Sequence, residues 1–218
     1  MSIKIGNAFY SPDAKILNLA NCNFTLLPES IENFKNLKKL YLTGNKLTSL
    51  PESICNLSEL EELHINCNDI HSLPQNINKL TKLCKLSMGQ NNLTDIPESI
   101  YELYNLKSLG LNDNKIEHIS PKIKNMKLNK LNLKNNKLVS IPFEIKNISD
   151  VYLCENSYQL DNLSADCEII IIESLTSKLH NLPPTIKEIH IYNSEHIDIK
   201  LPFNCSLYVD GKLRECPV

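Results

Sequence analysis

Glycine is scarce in this chain, and tryptophan is missing. Only 5 of the 218 residues are glycine. They are spread along the whole sequence, at Gly6, Gly44, Gly89, Gly110 and Gly211. Phosphate-binding loops, dinucleotide-binding turns and nucleophile elbows need clustered glycines, because the backbone there turns sharply or approaches a phosphate closely. The sequence therefore argues against the large enzyme classes that are built on these motifs.

An excess of positive charge is also absent. The chain has 23 Lys and Arg residues against 25 Asp and Glu residues, with a net charge of -2 and a pI near 6.3. It offers no basic field for a phosphate backbone, so we expect no nucleic-acid partner. No apolar run reaches the roughly 18 residues of a membrane-spanning helix, so we expect no membrane partner either.

Cysteine is present, but without the spacing of a metal site. The 8 cysteines form no C-x-x-C pair and no paired Cys/His pattern, which argues against structural zinc, and we expect no cofactor. The first fifteen residues show no basic segment followed by an apolar run, so we expect no signal peptide. Reduced thiols and a cytoplasmic location follow, which would be the host cytoplasm for a viral protein.

A repeated phrase organises most of the chain. It reads L-x-x-L-x-L-x-x-N-x-L-x-x-L-P-x-x-I-x-x-L, and one copy is LKKLYLTGNKLTSLPESICNL from Leu37. Ser120 replaces the proline in one copy. Six copies begin at Ala14, Leu37, Leu60, Leu83, Leu106 and Leu128.

This phrase resembles the leucine-rich repeat family, and its L-P-x-x-I variant resembles the intracellular Ras-scaffold class of that family. The resemblance covers about Ala14 to Ile148. It implies an α/β fold, a curved right-handed solenoid with a parallel β-sheet on its concave face and short helices or 3₁₀ turns on its convex face. The asparagine, isoleucine and lysine bias is typical of an AT-rich coding genome, such as that of a protist or a large DNA virus.

We predict four segments along the chain. Residues 1–13 form an N-terminal cap and 14–147 form the six regular repeats. Residues 148–203 form shorter, irregular repeats that resemble those of bacterial effectors and some protist families, and 204–218 form a C-terminal cap strand and tail. Caps are needed because an end repeat exposes its core and an unpaired strand edge.

The repeat predicts a ladder of polar residues where the chain leaves each strand. An asparagine amide carries both donors and an acceptor, which suits it to satisfy the backbone of a turn that is buried between coils. The family consensus allows cysteine at this position. The predicted ladder is Cys22, Asn45, Asn68, Asn91, Asn114, Asn136 and Asn156.

The outward column of the concave sheet is the predicted binding surface, since solenoids present such a column continuously. Tyrosine and histidine there combine apolar area with a hydrogen-bonding group, as interface hot spots do. One candidate site pairs Tyr41 with His64, and the small Ser87 and Gly110 separate it from the rest of the column. The second candidate site, at the C-terminal end, gathers Tyr152, Ile170, Ile172, His190, Tyr192 and Tyr208.

Catalytic arrangements are hard to find once the core is set aside. The only pairing is His64 with Cys67, a thiol and an imidazole in one coil, for which the alternative is two ordinary surface residues. The acidic run of Glu59, Glu61 and Glu62 faces Lys38 and Lys39 one coil earlier, so these charges should screen each other.

We therefore expect a non-enzymatic, monomeric protein-binding module that takes a protein partner on its concave face. The alternative is a recognition adaptor for a ubiquitin-ligase or signalling complex whose activity lies on another chain.

Overall fold

A parallel β-sheet of seven short strands forms the main part of the molecule. The computed structural model describes residues 2–138, 142, 145, 148–152, 169–172, 184, 186–191 and 199–214. The seven strands pair in sequence order. They are β3 (Ile16–Asn18), β4 (Lys39–Tyr41), β5 (Glu62–His64), β6 (Lys85–Ser87), β7 (Ser108–Gly110), β8 (Lys130–Asn132) and β9 (Asp150–Tyr152).

Each strand follows from the alternation of leucines in the repeat. In β4, Leu40 points into the core and is fully buried, whereas its neighbours Lys39 and Tyr41 are partly exposed on the other face. Leu40 pairs in register with Leu17 and Leu63 in the adjacent strands. The 23-residue spacing thus places equivalent leucines above one another, and the predicted solenoid is confirmed.

The convex side is built from 3₁₀ helices, one of the two forms that the sequence predicts. Within the described part of the chain the 3₁₀ helices are Glu29–Asn33, Glu52–Asn56, Ile77–Lys79, Glu98–Glu102 and Pro121–Asn125. Pro28, Pro51 and Pro97 each precede a helix with φ between -73° and -65°. The isoleucine three residues after each proline donates its N–H to the proline carbonyl, and its side chain is buried. Proline therefore fixes the backbone where the convex segment begins.

The N-terminal residues form a hairpin of β1 (Ile3–Ile5) and β2 (Ala8–Tyr10) that belongs to neither larger sheet. Ile5 is 1% exposed and lies in the same core cluster as Leu17 and Leu27. Gly6 adopts φ +60° and lies so close to the Phe24 ring that an added Cβ would meet it at 2.6 Å. The hairpin therefore covers the core of the first coil without pairing with its strand.

A second sheet lies toward the C-terminus. It contains β10 (Ile169–Ile172), β11 (Glu188–Ile191), β12 (Ser206–Val209) and β13 (Lys212–Arg214), and only the β12–β13 pair is antiparallel. Ile189, Ile191, Leu207 and Val209 are buried, as the sequence predicts.

The register of β10 corrects one prediction. The sequence places Ile170 in the same outward column as His190. In the structure Ile170 pairs with Ile189, and Ile172, a further predicted site residue, pairs with Ile191. Ile171 is the residue that pairs with His190. A run of four isoleucines has no alternation of apolar and polar residues, so the sequence does not distinguish the true register from one that is shifted by a residue.

No helix among the residues that the structure describes is long and apolar enough to cross a lipid bilayer.

Candidate protein-binding site

The outward column of the seven-stranded sheet is continuous. Consecutive members pair in register from each strand to the next. The column consists of Asn18, Tyr41, His64, Ser87, Gly110, Asn132 and Tyr152. One concave surface thus carries both an aromatic segment and a segment of small residues.

Tyr41 and His64 form a stacked pair in this column. Their ring centroids are 4.8 Å apart with an angle of 15° between the ring planes. Their strands place them directly opposite one another. Only 14% of the His64 side chain is exposed, so its neighbours leave the ring little room to move. Such preorganisation lowers the entropy cost of binding.

Glu62 orients the imidazole ring of His64 through a hydrogen bond. His64 Nε2 lies 3.1 Å from Glu62 Oε2, while the other carboxylate oxygen, Oε1, lies 2.6 Å from Lys39 Nζ. The hydrogen bonds from Lys39 and then His64 hold the pKa of the Glu62 carboxyl below its usual value. The hydrogen bond to Glu62 likewise raises the pKa of Lys39. The stacked pair therefore lies beside a charged group that is already neutralised.

The predicted screening by Lys38 and Lys39 is confirmed for Glu61 and Glu62, whereas Glu59 pairs with Lys82 of the next coil. Lys38 Nζ lies 2.6 Å from Glu61 Oε1, and Lys82 Nζ lies 2.7 Å from Glu59 Oε1. These pairs join residues on successive coils, as the 23-residue spacing requires. Together with the Glu62–Lys39 pair, they link neighbouring coils.

A shallow gap follows the stacked pair. Its floor is formed by Ser87 and Gly110, which are opposite one another in β6 and β7. A Cβ added to Gly110 would have the Ser87 Cα as its nearest neighbour, at an ordinary contact distance of 3.7 Å. Lys85 and Lys107 are exposed beside this floor. The gap separates Tyr41 and His64 from the later part of the column, as the sequence predicts.

The second candidate site is not assembled in the described part of the chain. Tyr152 lies in β9 of the seven-stranded sheet, whereas Ile170, His190 and Tyr208 lie in strands of the C-terminal sheet. His190 and Tyr208 pair in register. Tyr192 lies outside the described residues. The C-terminal site therefore stays a prediction.

The polar ladder links the coils beneath the column. Asn91 Nδ2 donates to the carbonyls of Met88 in its own coil and Ile65 in the previous one, at 3.1 and 3.0 Å. Its Oδ1 accepts the N–H of Ile70 at 3.0 Å. Four more buried asparagines likewise donate from Nδ2 to a carbonyl of the previous coil and accept a backbone N–H at Oδ1. They are Asn45, Asn68, Asn114 and Asn136.

The two ends of the predicted ladder differ from these rungs. Cys22 occupies the equivalent position in the first coil, but it is exposed and its thiol donates only to the carbonyl of Ala20, at 3.3 Å. The first coil has no coil before it to which a rung could bond. Asn156 lies outside the described residues.

A second regular column next to the ladder was missed by sequence reasoning. The residue immediately before each rung has a left-handed backbone with φ between 50° and 72°. These residues are Asn21, Gly44, Cys67, Gln90, Asp113 and Asn135. Four of the six are asparagine, aspartate or glycine, the types that tolerate this conformation, and this bias is the signal that could have revealed the turn.

The His64 and Cys67 side chains have other partners. The Cys67 thiol donates to Gln90 Oε1 at 2.8 Å, and His64 is bonded to Glu62. Among the remaining thiols, burial raises the pKa of Cys55 to about 11, so it stays protonated near neutral pH. The geometry gives no support to a thiol and imidazole pair.

Comparison with protein families gives one extensive match. A family model for a leucine-rich repeat region matches residues 13–200. A search of curated proteins finds no match.

Solved structures show the same architecture. A leucine-rich repeat protein of Leptospira interrogans has a TM-score of 0.61 and 26% identity, with 92% of this chain and 62% of that chain covered. The chain thus spans less than two thirds of that protein.

Two further neighbours share the fold. The leucine-rich repeat ectodomain of the receptor kinase GASSHO1/SCHENGEN3 from Arabidopsis thaliana, in complex with CASPARIAN STRIP INTEGRITY FACTOR 2, has a TM-score of 0.57 and 20% identity, with 83% of this chain and 26% of that chain covered. The PEPR1–AtPEP1 structure has a TM-score of 0.58 and 22% identity, with 78% of this chain and 27% of that chain covered.

Proposed function

Because the chain belongs to the leucine-rich repeat family, whose fold generally mediates protein–protein interaction, we propose that it is a non-catalytic module that binds a protein partner on its concave face. The balanced charge of the chain favours a protein over a nucleic acid as this partner. Leucine-rich repeat neighbours whose structures hold a protein or peptide ligand support a binding role.

The stacked Tyr41–His64 pair is the observation that supports the position of the site. Interfaces gain most of their affinity from a few residues that are rigid, partly apolar and able to donate or accept a hydrogen bond. Both rings meet this description, since stacking and the Glu62 hydrogen bond order them before binding. The gap at Ser87 and Gly110 leaves space beside them for a side chain of the partner.

Paired affinity capture tests this site. The Tyr41→Ala/His64→Ala variant and the wild-type chain are used as baits, and proteins that bind the wild-type chain are identified by mass spectrometry and purified. Their affinities are then measured by titration calorimetry. We expect the double variant to lose at least about 2 kcal/mol of binding free energy, the scale of a hot spot.

A matched control uses the same residue types away from the sheet. Tyr104 and His118 are both exposed and lie outside the concave strands. Tyr104→Ala/His118→Ala should bind the same partners with unchanged affinity. Equal binding by the folded Tyr41→Ala/His64→Ala variant would refute the concave site.

We further propose that the module is monomeric and lies in a reducing compartment such as the cytoplasm, where thiols stay reduced. Cys22, Cys55, Cys67, Cys84 and Cys205 are all free thiols. Thiol labelling of the protein, denatured directly from cells, should modify all five. Protection of any of them by a disulfide would contradict this location, and a sedimentation mass of a dimer would contradict the monomer.

A further inference from the structure

The first strand of the main sheet leaves one edge open. β3 pairs with β4 on one side, and the N-terminal hairpin does not pair with it on the other. The hydrogen bonds to β4 fix which groups face which way. Leu19 N–H donates to the Tyr41 carbonyl at 2.8 Å, and Lys39 N–H donates to the Lys15 carbonyl at 3.1 Å.

Successive residues of a strand direct their backbone N–H and C=O groups to opposite edges. Those of Ile16 and Asn18 therefore point away from β4. Within the described part of the chain, these two residues have no backbone partner on their outer side. Both are exposed, and Ile16 is 60% exposed although it is a large apolar residue. The open edge therefore offers two N–H groups, two carbonyls and an apolar side chain.

The opposite end of the described chain is protected. There β13 is the edge strand, and it carries the exposed charged residues Lys212 and Arg214. Charged side chains on an edge strand discourage pairing with another chain. β3 contains no charged residue and no proline, so this protection is missing at the N-terminal edge.

We propose that the open edge of β3 is a second binding site, which takes a short extended segment of another protein as an additional strand. Backbone hydrogen bonds supply affinity in this mode, and the alternate side chains supply specificity. One face of the added strand lies beside Ile16 and requires an apolar residue.

The hairpin excludes a second copy of this chain as the occupant. Paired strands lie about 4.8 Å apart, so the coils that carry them must stack at the same distance. The hairpin lies over the core end of the first coil, with Ile5 buried there. Two copies joined through β3 would need to place two hairpins in a space that is one strand wide. A single extended segment needs no such space.

The open edge lies next to the concave pair, since Asn18 pairs with Tyr41, but it binds through backbone groups rather than through the two rings, so each site can fail without the other. The probe is a random heptapeptide display library, selected on the folded wild-type protein. Affinities of the selected peptides are measured by fluorescence anisotropy. Asn18→Pro removes the outward N–H but leaves the hydrogen bonds between β3 and β4 in place. Edge strands tolerate proline at such a position.

We expect Asn18→Pro to weaken the selected peptides at least about tenfold, the effect of losing one hydrogen bond and gaining a clash. Asn18→Ala also loses the side-chain amide, which accepts the Ala20 N–H, but keeps its own N–H. It should stay within about threefold of the wild-type chain. Tyr41→Ala/His64→Ala should bind the peptides as the wild-type chain does.

Peptide chemistry provides a test that does not depend on folding of the proline variant. N-methylation at alternate positions of a selected peptide should abolish binding in one register and leave it intact when shifted by one residue. A library that yields no peptides, or peptides insensitive to both Asn18→Pro and N-methylation, overturns the proposal. Dimerisation of the chain through this edge would overturn the choice of occupant.

Discussion

The ladder asparagine is the residue on which the stacking of coils depends most directly. Met88 O accepts from Asn91 of its own coil and also from Asn114 of the next coil. Leu42 O is shared in the same way by Asn45 and Asn68. Each rung thus bonds to a carbonyl that the neighbouring rung also uses, and the amides form a connected line through the molecule.

Asn91→Ala should therefore destabilise the protein by about 1–3 kcal/mol, because buried backbone groups lose their partners. Asn91 is 7% exposed, so water cannot replace the amide easily. The midpoint of urea unfolding measures the change. Asn92→Ala, next to it, removes only a bond between Asn92 Oδ1 and the exposed Lys115 and should cost less than about 0.5 kcal/mol.

The left-handed residues before the rungs predict a stabilising change. Gln90 has φ 55°, a conformation that costs a residue with a Cβ roughly 1–2 kcal/mol. Gln90→Gly relieves this cost but gives the unfolded chain more freedom, so we expect a net gain of about 0.5–1 kcal/mol. Thr94→Gly, at a position without positive φ, should destabilise instead. Thermal unfolding of both variants checks the difference in sign.

At the scale of strands, the charged pairs between β4 and β5 make stability depend on pH. Glu62 has a lowered pKa in the folded state, caused first by Lys39 and then by His64. Its stabilising effect is therefore complete above the unfolded pKa of about 4.3 and is lost as the pH falls through the folded value.

Glu62→Gln should lower stability at pH 7 by up to about 1 kcal/mol, and its difference from the wild-type chain should shrink at acid pH, below the unfolded pKa of Glu62. Urea unfolding across this pH range measures the difference. Glu117→Gln, at an exposed loop position, is the control and should change little at either pH. A constant offset between Glu62→Gln and the wild-type chain would contradict the role of the ion pair.

One convex segment replaces the missing proline by two hydrogen bonds. Ser120 caps the helix Pro121–Asn125, since its side chain accepts the Lys122 N–H at 3.3 Å. Its own N–H donates to the Tyr101 hydroxyl at 3.0 Å. Burial raises the pKa of Tyr101 to about 12, so the hydroxyl stays neutral.

A double-mutant cycle tests this replacement. Tyr101→Phe should cost about 1 kcal/mol in the wild-type chain, because the Ser120 N–H loses its acceptor. In the Ser120→Pro background that N–H is gone, and the same change should cost almost nothing. Ser120 already has φ -69°, which proline accepts. Equal costs in both backgrounds would show that the hydroxyl contributes in another way.

The elements were predictable to the extent that their pattern repeats. Alternating leucines located the strands, and the isoleucine three residues after each proline located the convex turns. The N-terminal hairpin was expected only as a cap. The sequence around Ile3 and Ile5 does not predict that the hairpin covers the core and leaves β3 unpaired, because this arrangement depends on tertiary packing. The register of β10 was lost in a run of isoleucines.

The candidate site was predictable in position but not in detail. Tyr41 and His64 follow from the outward column of the repeat. Their stacking and the orientation of the imidazole depend on Glu62, which in the sequence reads as part of an acidic run. Side-chain geometry of this kind is set by neighbours 23 residues away, and a single repeat does not contain it.

At the scale of the whole molecule, the ladder hydrogen bonds and ion pairs described above join each coil to the coil next to it. Each rung bonds within its own coil and to the coil before it, as Asn68 does to Ile65 and Leu42. Ion pairs such as Lys82 with Glu59 also span one coil. Stability of such a solenoid is approximately a sum of coil terms and nearest-neighbour terms.

Removal of one whole coil should therefore leave a folded protein. Deletion of residues 83–105 removes 23 residues and joins equivalent positions, so we expect a cooperative unfolding transition with a lower midpoint. Deletion of residues 88–98, about half a coil, joins positions that are not equivalent and should abolish cooperative unfolding. Circular dichroism during urea titration distinguishes the two. Loss of structure in both variants would contradict nearest-neighbour stacking.

The shared carbonyls of the ladder have a consequence for how such a chain changes over generations. A rung forms the same bonds whichever coil precedes it, provided that the preceding coil ends in the same way. Unequal recombination within the gene can then change the copy number of the coil in a single event without a compensating mutation. The length of the concave surface is thus a property that selection can adjust by whole coils.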